Sequence, residues 1–343
     1  MINLRCGRSS RERADWRGRR RLRDLTDVCL DALDDPHEQQ RLLGGLQAHG
    51  VVKLTLPTSK RLKQLTAACY QKSAAFFGRE MREKAPHAIS EECQQGCAIY
   101  EDGTEFFEVA EHFDNRFWNW PSVPYGLRGA MLDTYDCMRA VAMRALEALL
   151  HALNMDVGLV LSTLDLAQTP PPAANEMRRR EFFAGASHTA LRVWSYAAGA
   201  QPTAWHCDNT LVTLGVRGSA TGLRARLLDG RHIFPEESLG DEQIILYAGD
   251  SLSYLSGGRV LPLMHEVQPP PVGVTHRLSM PFFLRARRAA VLQPALASPG
   301  VAAARGLPSL SVCDLEEDEG GVRQRWSWKR ARYFAELHTE ACR

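Results

Sequence analysis

His206 and Asp208, one residue apart in the stretch WHCDNTLVTL, are the side chains whose types and spacing most directly imply chemistry in this 343-residue chain. The stretch is rich in apolar, β-branched and small residues, which predicts a strand over 205–214, and side chains two apart on a strand share a face. An imidazole and a carboxylate placed together form two corners of a 2-His-1-carboxylate triad, a donor set that suits Fe(II) and leaves positions open for oxygen and a co-substrate. The third corner is expected from His265, 57 residues after Asp208 in the apolar run LPLMHEVQ. By the same alternation Cys207 is expected to face away from the metal and into the core. Twelve residues beyond His265, Arg277 and Ser279 again stand two apart, in HRLSMPFFL. A guanidinium and a hydroxyl on one face suit a carboxylate, Arg through a two-pronged charged hydrogen bond and Ser through a single one. His276, on the opposite face of that strand, and His232, beside an expected turn, are not expected to be ligands.

These residues need rigid elements behind them. HEQQRLLGGLQAHG reads as a helix stopped at Gly50, followed by a short strand, Val51 to Leu56. Ser59 to Phe77 reads as a second helix that places Phe76 and Phe77 in the core. Gly126 to Met155 carries the longest helical signal: Met131, Tyr135, Met138, Ala142, Ala145, Leu149 and Leu153 recur at spacings of three and four, a stripe broad enough to lie along a sheet. Burying it, at about 25 cal/mol per Å², supports the sheet from outside. ALRVWSYA, residues 190–197, is a strand by composition. The alternation in LRARLL and IILY, broken at Asp229-Gly230 and Gly249-Asp250, predicts hairpins of a mostly antiparallel sheet. Many short strands between turns argue for a mainly β jelly-roll core with flanking helices.

The full arrangement resembles the isopenicillin N synthase-like branch of the Fe(II)/2-oxoglutarate-dependent dioxygenases. His206-Cys207-Asp208, His265 and Arg277-Leu278-Ser279 follow that family's H-x-D, distal His and R-x-S in order. YAGDSLSYLSGGRVLPLMHEV is similar to its Gly-Asp turn, strand, Ser-x-Gly turn and distal His. The resemblance implies a double-stranded β-helix (cupin-like), with Fe(II), 2-oxoglutarate and O2 as cofactors and ascorbate as an optional stimulant. It implies that Arg277, Ser279 and Tyr196 hold the co-substrate's distal carboxylate. Trp194 stands where the family usually has Asn, and a Trp cannot make the two-sided hydrogen bonds of an amide. The resemblance further suggests Tyr100, Glu105 and Phe107, in GCAIYEDGTEFFEV, as substrate-pocket residues, and places Trp118, Trp120, Pro121 and Pro124 in a structural Trp-Pro loop. The activity implied is decarboxylation of 2-oxoglutarate coupled to oxidation, by default hydroxylation, of a small organic substrate. An Fe(II) oxidase that takes no 2-oxoglutarate and a non-catalytic binding protein on the same fold are the alternatives.

Bulk properties set the remaining bounds. A net charge of +2 implies no general attraction to nucleic acid or membrane, and no apolar run reaches the length of a membrane span. Nine Cys are scattered without a C-x-x-C pair; Cys93 and Cys97, four apart, lack a second pair to complete a zinc site. A reducing, cytoplasmic compartment is expected. Residues 1–24 hold nine Arg against Glu12, Asp15 and Asp24; they read as a disordered extension, with mitochondrial or nuclear targeting, or contact with nucleic acid, as other roles for such an arm. The Pro-rich then basic stretch from Leu164 to His188 reads as an exposed loop able to fold over the site as a lid. The expected division is 1–24 extension, 25–155 helix-and-strand module, 156–290 jelly-roll core and 291–343 tail with a C-terminal helix. That helix is a place where a second copy could press, giving a monomer or weak homodimer.

Overall fold

A computed structural model describes residues 25–56, 60–89, 96–110, 120–164, 189–287 and 289–312. The Arg-rich arm, the expected lid at 165–188, Trp118 and the expected C-terminal helix lie outside the described residues.

Local signals start and stop the first elements. Asp35 caps α1 (Pro36–His49) by accepting from the His37 amide at 2.9 Å, Pro36 opens it, and Gly50 ends it at φ 77°, a left-handed conformation that costs glycine little. β1 (Asp27–Cys29) then runs parallel to β2 (Val51–Thr55). α2 (Lys60–Phe77) and the short α3 (Met81–Lys84) lead to the antiparallel pair β3 (Gly96–Ile99) and β4 (Glu105–Ala110). α4 (Leu127–Ala152) matches the long predicted helix, and its whole predicted stripe is buried. A short α5 (Val157–Ser162) follows, capped by Asp156.

From β5 (Ala190–Ala197) onward the chain is mostly β: β6 (Val212–Gly215), β7 (Leu223–Arg226), β8 (His232–Ile233), β9 (Gln243–Ala248), then α6 (Asp250–Leu255), β10 (Met264–Val267), β11 (His276–Ser279) and β12 (Pro281–Leu284). One nine-stranded sheet runs β1-β2-β9-β6-β12-β5-β4-β3, with β11 also paired to β5, and a smaller sheet runs β10-β7-β8. The sheets face each other as a double-stranded β-helix, with α4 packed on the outer face of the large one against β12, β6, β4 and β5. Strands from both sides of residue 155 share the large sheet, so the helix-and-strand module and the jelly-roll are one continuous body there.

The period-two alternation of β9 shows how the faces divide. Ile244, Leu246 and Ala248 enter the main core with Met138, Leu146 and Leu149 of α4, whereas Ile245 and Tyr247 turn to the other face with Leu227, Leu239 and Leu263. Tyr135 of α4 meets Phe282 of β12 edge-on, ring centroids 5.3 Å apart.

Two predicted elements differ. Residues 205–214 are not one strand: only Val212–Gly215 is, and His206 sits in an isolated bridge to His265. The chain bends at residues 209–211, just after Asp208, whose carbonyl accepts from the Asp250 amide at 2.8 Å. The segment after Gly249-Asp250 is the helix α6, not a strand entered by a hairpin turn. It is short enough to be buried on all sides, and Gly257 and Gly258, at φ 64° and 80°, turn the chain out of it. Asp229-Gly230 does form the expected turn, with Gly230 at φ 84° between β7 and β8.

Candidate active site

His206, Asp208 and His265 converge at one end of a cavity of about 470 Å³ between the two sheets. One donor atom from each lies within 4.8 Å of the others. The backbone fixes two of them: His206 and His265 each donate an amide to the other's carbonyl at 2.9 Å. Both imidazoles are oriented the same way. Nδ1 of His206 lies 2.8 Å from the Ala204 carbonyl and Nδ1 of His265 lies 3.1 Å from the Leu263 carbonyl, so each Nδ1–H is spent on a backbone oxygen and each Nε2 lone pair is left to face Asp208. Oδ1 of Asp208 stands 3.9 Å from Nε2 of His206 and 3.7 Å from that of His265.

Asp208 is held by its other oxygen. Oδ2 accepts from the Thr213 hydroxyl at 2.9 Å and from the Tyr247 hydroxyl at 3.0 Å, which leaves Oδ1 directed at the imidazoles. Burial alone pushes this carboxyl up, but the two imidazoles and the two hydroxyl donors outweigh it and hold Asp208 below its ordinary range. Burial likewise lowers His265, against the opposing pull of Asp208, and a neutral ring is the metal-binding form. Burial and the adjacent Asp208 push the Tyr247 phenol well up, so it remains a donor. Gly249 permits the bend: a Cβ there would collide with Oγ1 of Thr210 and stand 2.5 Å from the carbonyl of Thr210 and 2.6 Å from that of Asp208.

The other end of the cavity is built on β11 and β5, paired so that Arg277 lies opposite Tyr196 and Ser279 opposite Trp194. Arg277, Ser279 and Tyr196 all line the cavity. The Arg277 guanidinium lies 5.4 Å from the Tyr196 ring centroid. It is fully buried and pairs with Glu236, a contact absent from the sequence reading. Trp194 is stacked on Tyr196 at 5.3 Å and on Tyr100 at 6.1 Å.

The three expected pocket residues are placed elsewhere. Phe107 points into the core, against Phe76 at 5.2 Å and Trp120 at 5.5 Å. Glu105, on the same face of β4, is buried in an ion pair with Lys84 at 2.6 Å. Tyr100 is half exposed and one ring removed from the cavity, behind Trp194. Cys207, expected in the core, is half-buried and lines the cavity, because it lies outside any strand and alternation does not apply to it. His232 stacks on Trp205 at 5.0 Å, and His276 Nδ1 lies 3.3 Å from the Ser195 hydroxyl; neither lines the cavity.

Sequence reasoning missed Thr213, Tyr247, Glu236 and Arg192. Tyr247 carried a faint signal, a hydroxyl at the end of the apolar run Ile244–Leu246. Arg192, which salt-bridges Glu108 and lies over the rings of Phe106 and Trp194 at 4.2 and 5.3 Å, brings a cation to the cavity wall. Glu236 lies in a 3-10 turn, where no periodicity marks it.

Residues 187–286 match the family model of the 2OG-Fe(II) oxygenase superfamily. No curated protein matches the chain in sequence. Among solved structures, a Caulobacter crescentus protein of the 2OG-Fe(II) oxygenase family is similar over 89% of this chain and 98% of its own, with 18% identity and a TM-score of 0.68. A full-length Neurospora crassa protein, solved in complex with alpha-KG and 5-formyluracil, is similar over 83% of this chain and 92% of its own, at 16% identity and a TM-score of 0.65. The rice dioxygenase for auxin oxidation covers 89% of this chain and 96% of its own, at 16% identity and a TM-score of 0.64. At these identities the likeness establishes the fold.

Proposed function

We propose that this chain, a member of the 2OG-Fe(II) oxygenase superfamily through the domain at residues 187–286, couples decarboxylation of 2-oxoglutarate to oxidation, by default hydroxylation, of a small organic substrate. The observation that carries the reading is the donor set: two Nε2 lone pairs and one carboxylate oxygen, each oriented by a hydrogen bond on its far side, converging in a cavity. Two imidazoles and a carboxylate fit Fe(II), and His206, Asp208 and His265 would hold it. Bound Fe(II) would supply the activation of O2 that 2-oxoglutarate decarboxylation drives.

The chain's own residues bind, orient and exclude water. Arg277, Ser279 and Tyr196 receive the distal carboxylate of 2-oxoglutarate, and Val216, Leu223, Ile245 and Val267 give that end apolar walls. The cavity volume of about 470 Å³ suits a small molecule, as do the small ligands that similar structures hold. Phe283, Trp194 and the cations Arg192 and Arg285 supply an aromatic and basic wall for it. Cys29, Cys69, Cys97 and Cys137 are free thiols, which supports a reducing setting; among the described residues no helix is long and apolar enough to cross a membrane.

One observation favours a second reading, an Fe(II) oxidase that takes no 2-oxoglutarate: Arg277 already has an internal carboxylate partner in Glu236. Anaerobic titration with Fe(II) and then 2-oxoglutarate separates the two. The first reading expects a visible metal-to-ligand charge-transfer band that needs more 2-oxoglutarate in Arg277→Ala. Iron binding with no band would transfer the assignment to the oxidase, and failure to bind iron would overturn both.

A further inference from the structure

The anion-binding end of the cavity is charge-balanced from within. Arg277 is 1% exposed; its Nη2 donates to both oxygens of Glu236 at 2.9 and 3.0 Å, and its Nε donates to the Ala220 carbonyl at 2.7 Å. Glu236 is no loose gate. Oε1 accepts from the Gly218 amide at 3.2 Å, and Oε2 accepts from the amides of Gly222 and Leu223 at 2.9 Å each. Gly222 lets the two groups meet, since a Cβ there would collide with Nε of Arg277 and stand 2.5 Å from its Cζ. The remaining nitrogen, Nη1, is buried without a hydrogen-bond partner among the described residues. A buried donor left in this state, in a wall shared with Ser279 and Tyr196, points to a ligand.

A carboxylate arriving at Nη1 meets a guanidinium whose charge is already matched by a fixed anion. Coulomb energy falls only as the inverse of distance, so an anion on the far edge of the guanidinium cancels on the order of half the attraction. The arriving group also finds one free prong of the fork rather than two.

We propose that Glu236 is a specificity-determining residue for the co-substrate: by neutralising Arg277 it makes the site nearly indifferent to whether the tail of a 2-oxo acid carries a charge. The tail is held by Nη1 and by the Ser279 and Tyr196 hydroxyls, as a hydrogen-bond acceptor more than as an anion. This rests on the 2-oxo-acid reading of the same site.

Calorimetric titration of the full chain loaded with Mn(II), which binds like Fe(II) without turnover, provides the test. The probes are 2-oxoglutarate and its 5-methyl ester, which keeps an acceptor carbonyl at the tail but not the charge. Wild type should bind the two within about tenfold of each other, whereas Glu236→Gln should bind 2-oxoglutarate at least about tenfold more tightly with the 5-methyl ester unchanged. A wild-type preference for 2-oxoglutarate above roughly 100-fold overturns the proposal, as does equal or weaker 2-oxoglutarate binding by Glu236→Gln. The wild-type comparison alone suffices if the variant does not fold. If neither protein binds either acid while both bind Mn(II), the 2-oxo-acid reading fails and the proposal with it; a failure confined to the preference leaves that reading intact.

Discussion

His206 and His265, 59 positions apart in the chain, exchange both backbone hydrogen bonds at 2.9 Å, and their rings lie 4.4 Å apart. The backbone rather than any side-chain contact brings them together, so the candidate ligand pair is organised before a metal arrives. The side chain of His206 is 44% exposed and contributes little to packing. His206→Ala should therefore alter folding stability by no more than about 0.5 kcal/mol, while lowering metal affinity by more than the roughly 10–100-fold expected from losing an outer-shell partner. Thermal melting and Mn(II) binding measured on one preparation check this; a variant that melts early with its affinity intact would contradict it.

Tyr247 donates to the Asp208 oxygen that faces away from the imidazoles, so Tyr247→Phe should free that carboxylate to rotate. The expected cost is about 10–100-fold in metal affinity, with stability changed by about 0.5–1.5 kcal/mol for the lost hydrogen bond. An unchanged metal dissociation constant would show that Thr213 alone orients Asp208.

Gly249→Ala tests the bend. Its new methyl would meet backbone atoms of Thr210 and Asp208, which cannot rotate away as a side-chain tip can. A loss of about 1–3 kcal/mol in denaturant unfolding is expected, as for overpacking elsewhere. Weaker metal binding should accompany it, because the carbonyl that must shift belongs to a candidate ligand.

Burial pushes the Cys69 thiol up to about 12 and the Cys97 thiol up to about 11. The thiolate is the reactive form, so at pH 8 both should resist iodoacetamide in the native protein, and reactivity should rise only as the pH approaches those values. Cys207 lines the cavity instead. It should alkylate at pH 8 and be shielded by Mn(II) with 2-oxoglutarate, as peptide mass mapping would show; protection of Cys69 or Cys97 by the same additions would be inconsistent with their place in the core.

Much of the scaffold was legible because its signals are local and repeated. The stripe on α4 and the alternation of β5 and β9 each place several residues at once, and Gly50 ends its helix by the conformation it takes. The site was legible in types and order but not in geometry. The strand read over 205–214 is confined to Val212–Gly215, since the chain bends between Asp208 and Val212; His206 is set by its bridge to His265 and the Asp208 backbone by the Asp250 amide, long-range contacts that no local pattern encodes. Tyr100, Glu105 and Phe107 show the converse. Alternation said correctly that β4 has two faces but could not say that Lys84 awaits Glu105 or that Phe76 and Trp120 await Phe107. Glu236 was invisible for the same reason: its meaning comes from Arg277, 41 positions later, and from three amides that only the folded chain collects.

The division of β9 between two faces bears on which changes the chain can absorb. Moving one residue into or out of this strand would exchange the sides of everything after it, sending the Tyr247 phenol toward α4 and Leu246 toward Asp208. A polar group would then be stranded in the core while the carboxylate lost a donor. Length changes belong in the loops. Within β9 a single-codon deletion is expected to cost fold and metal site together, whereas conservative substitutions there can spare either one.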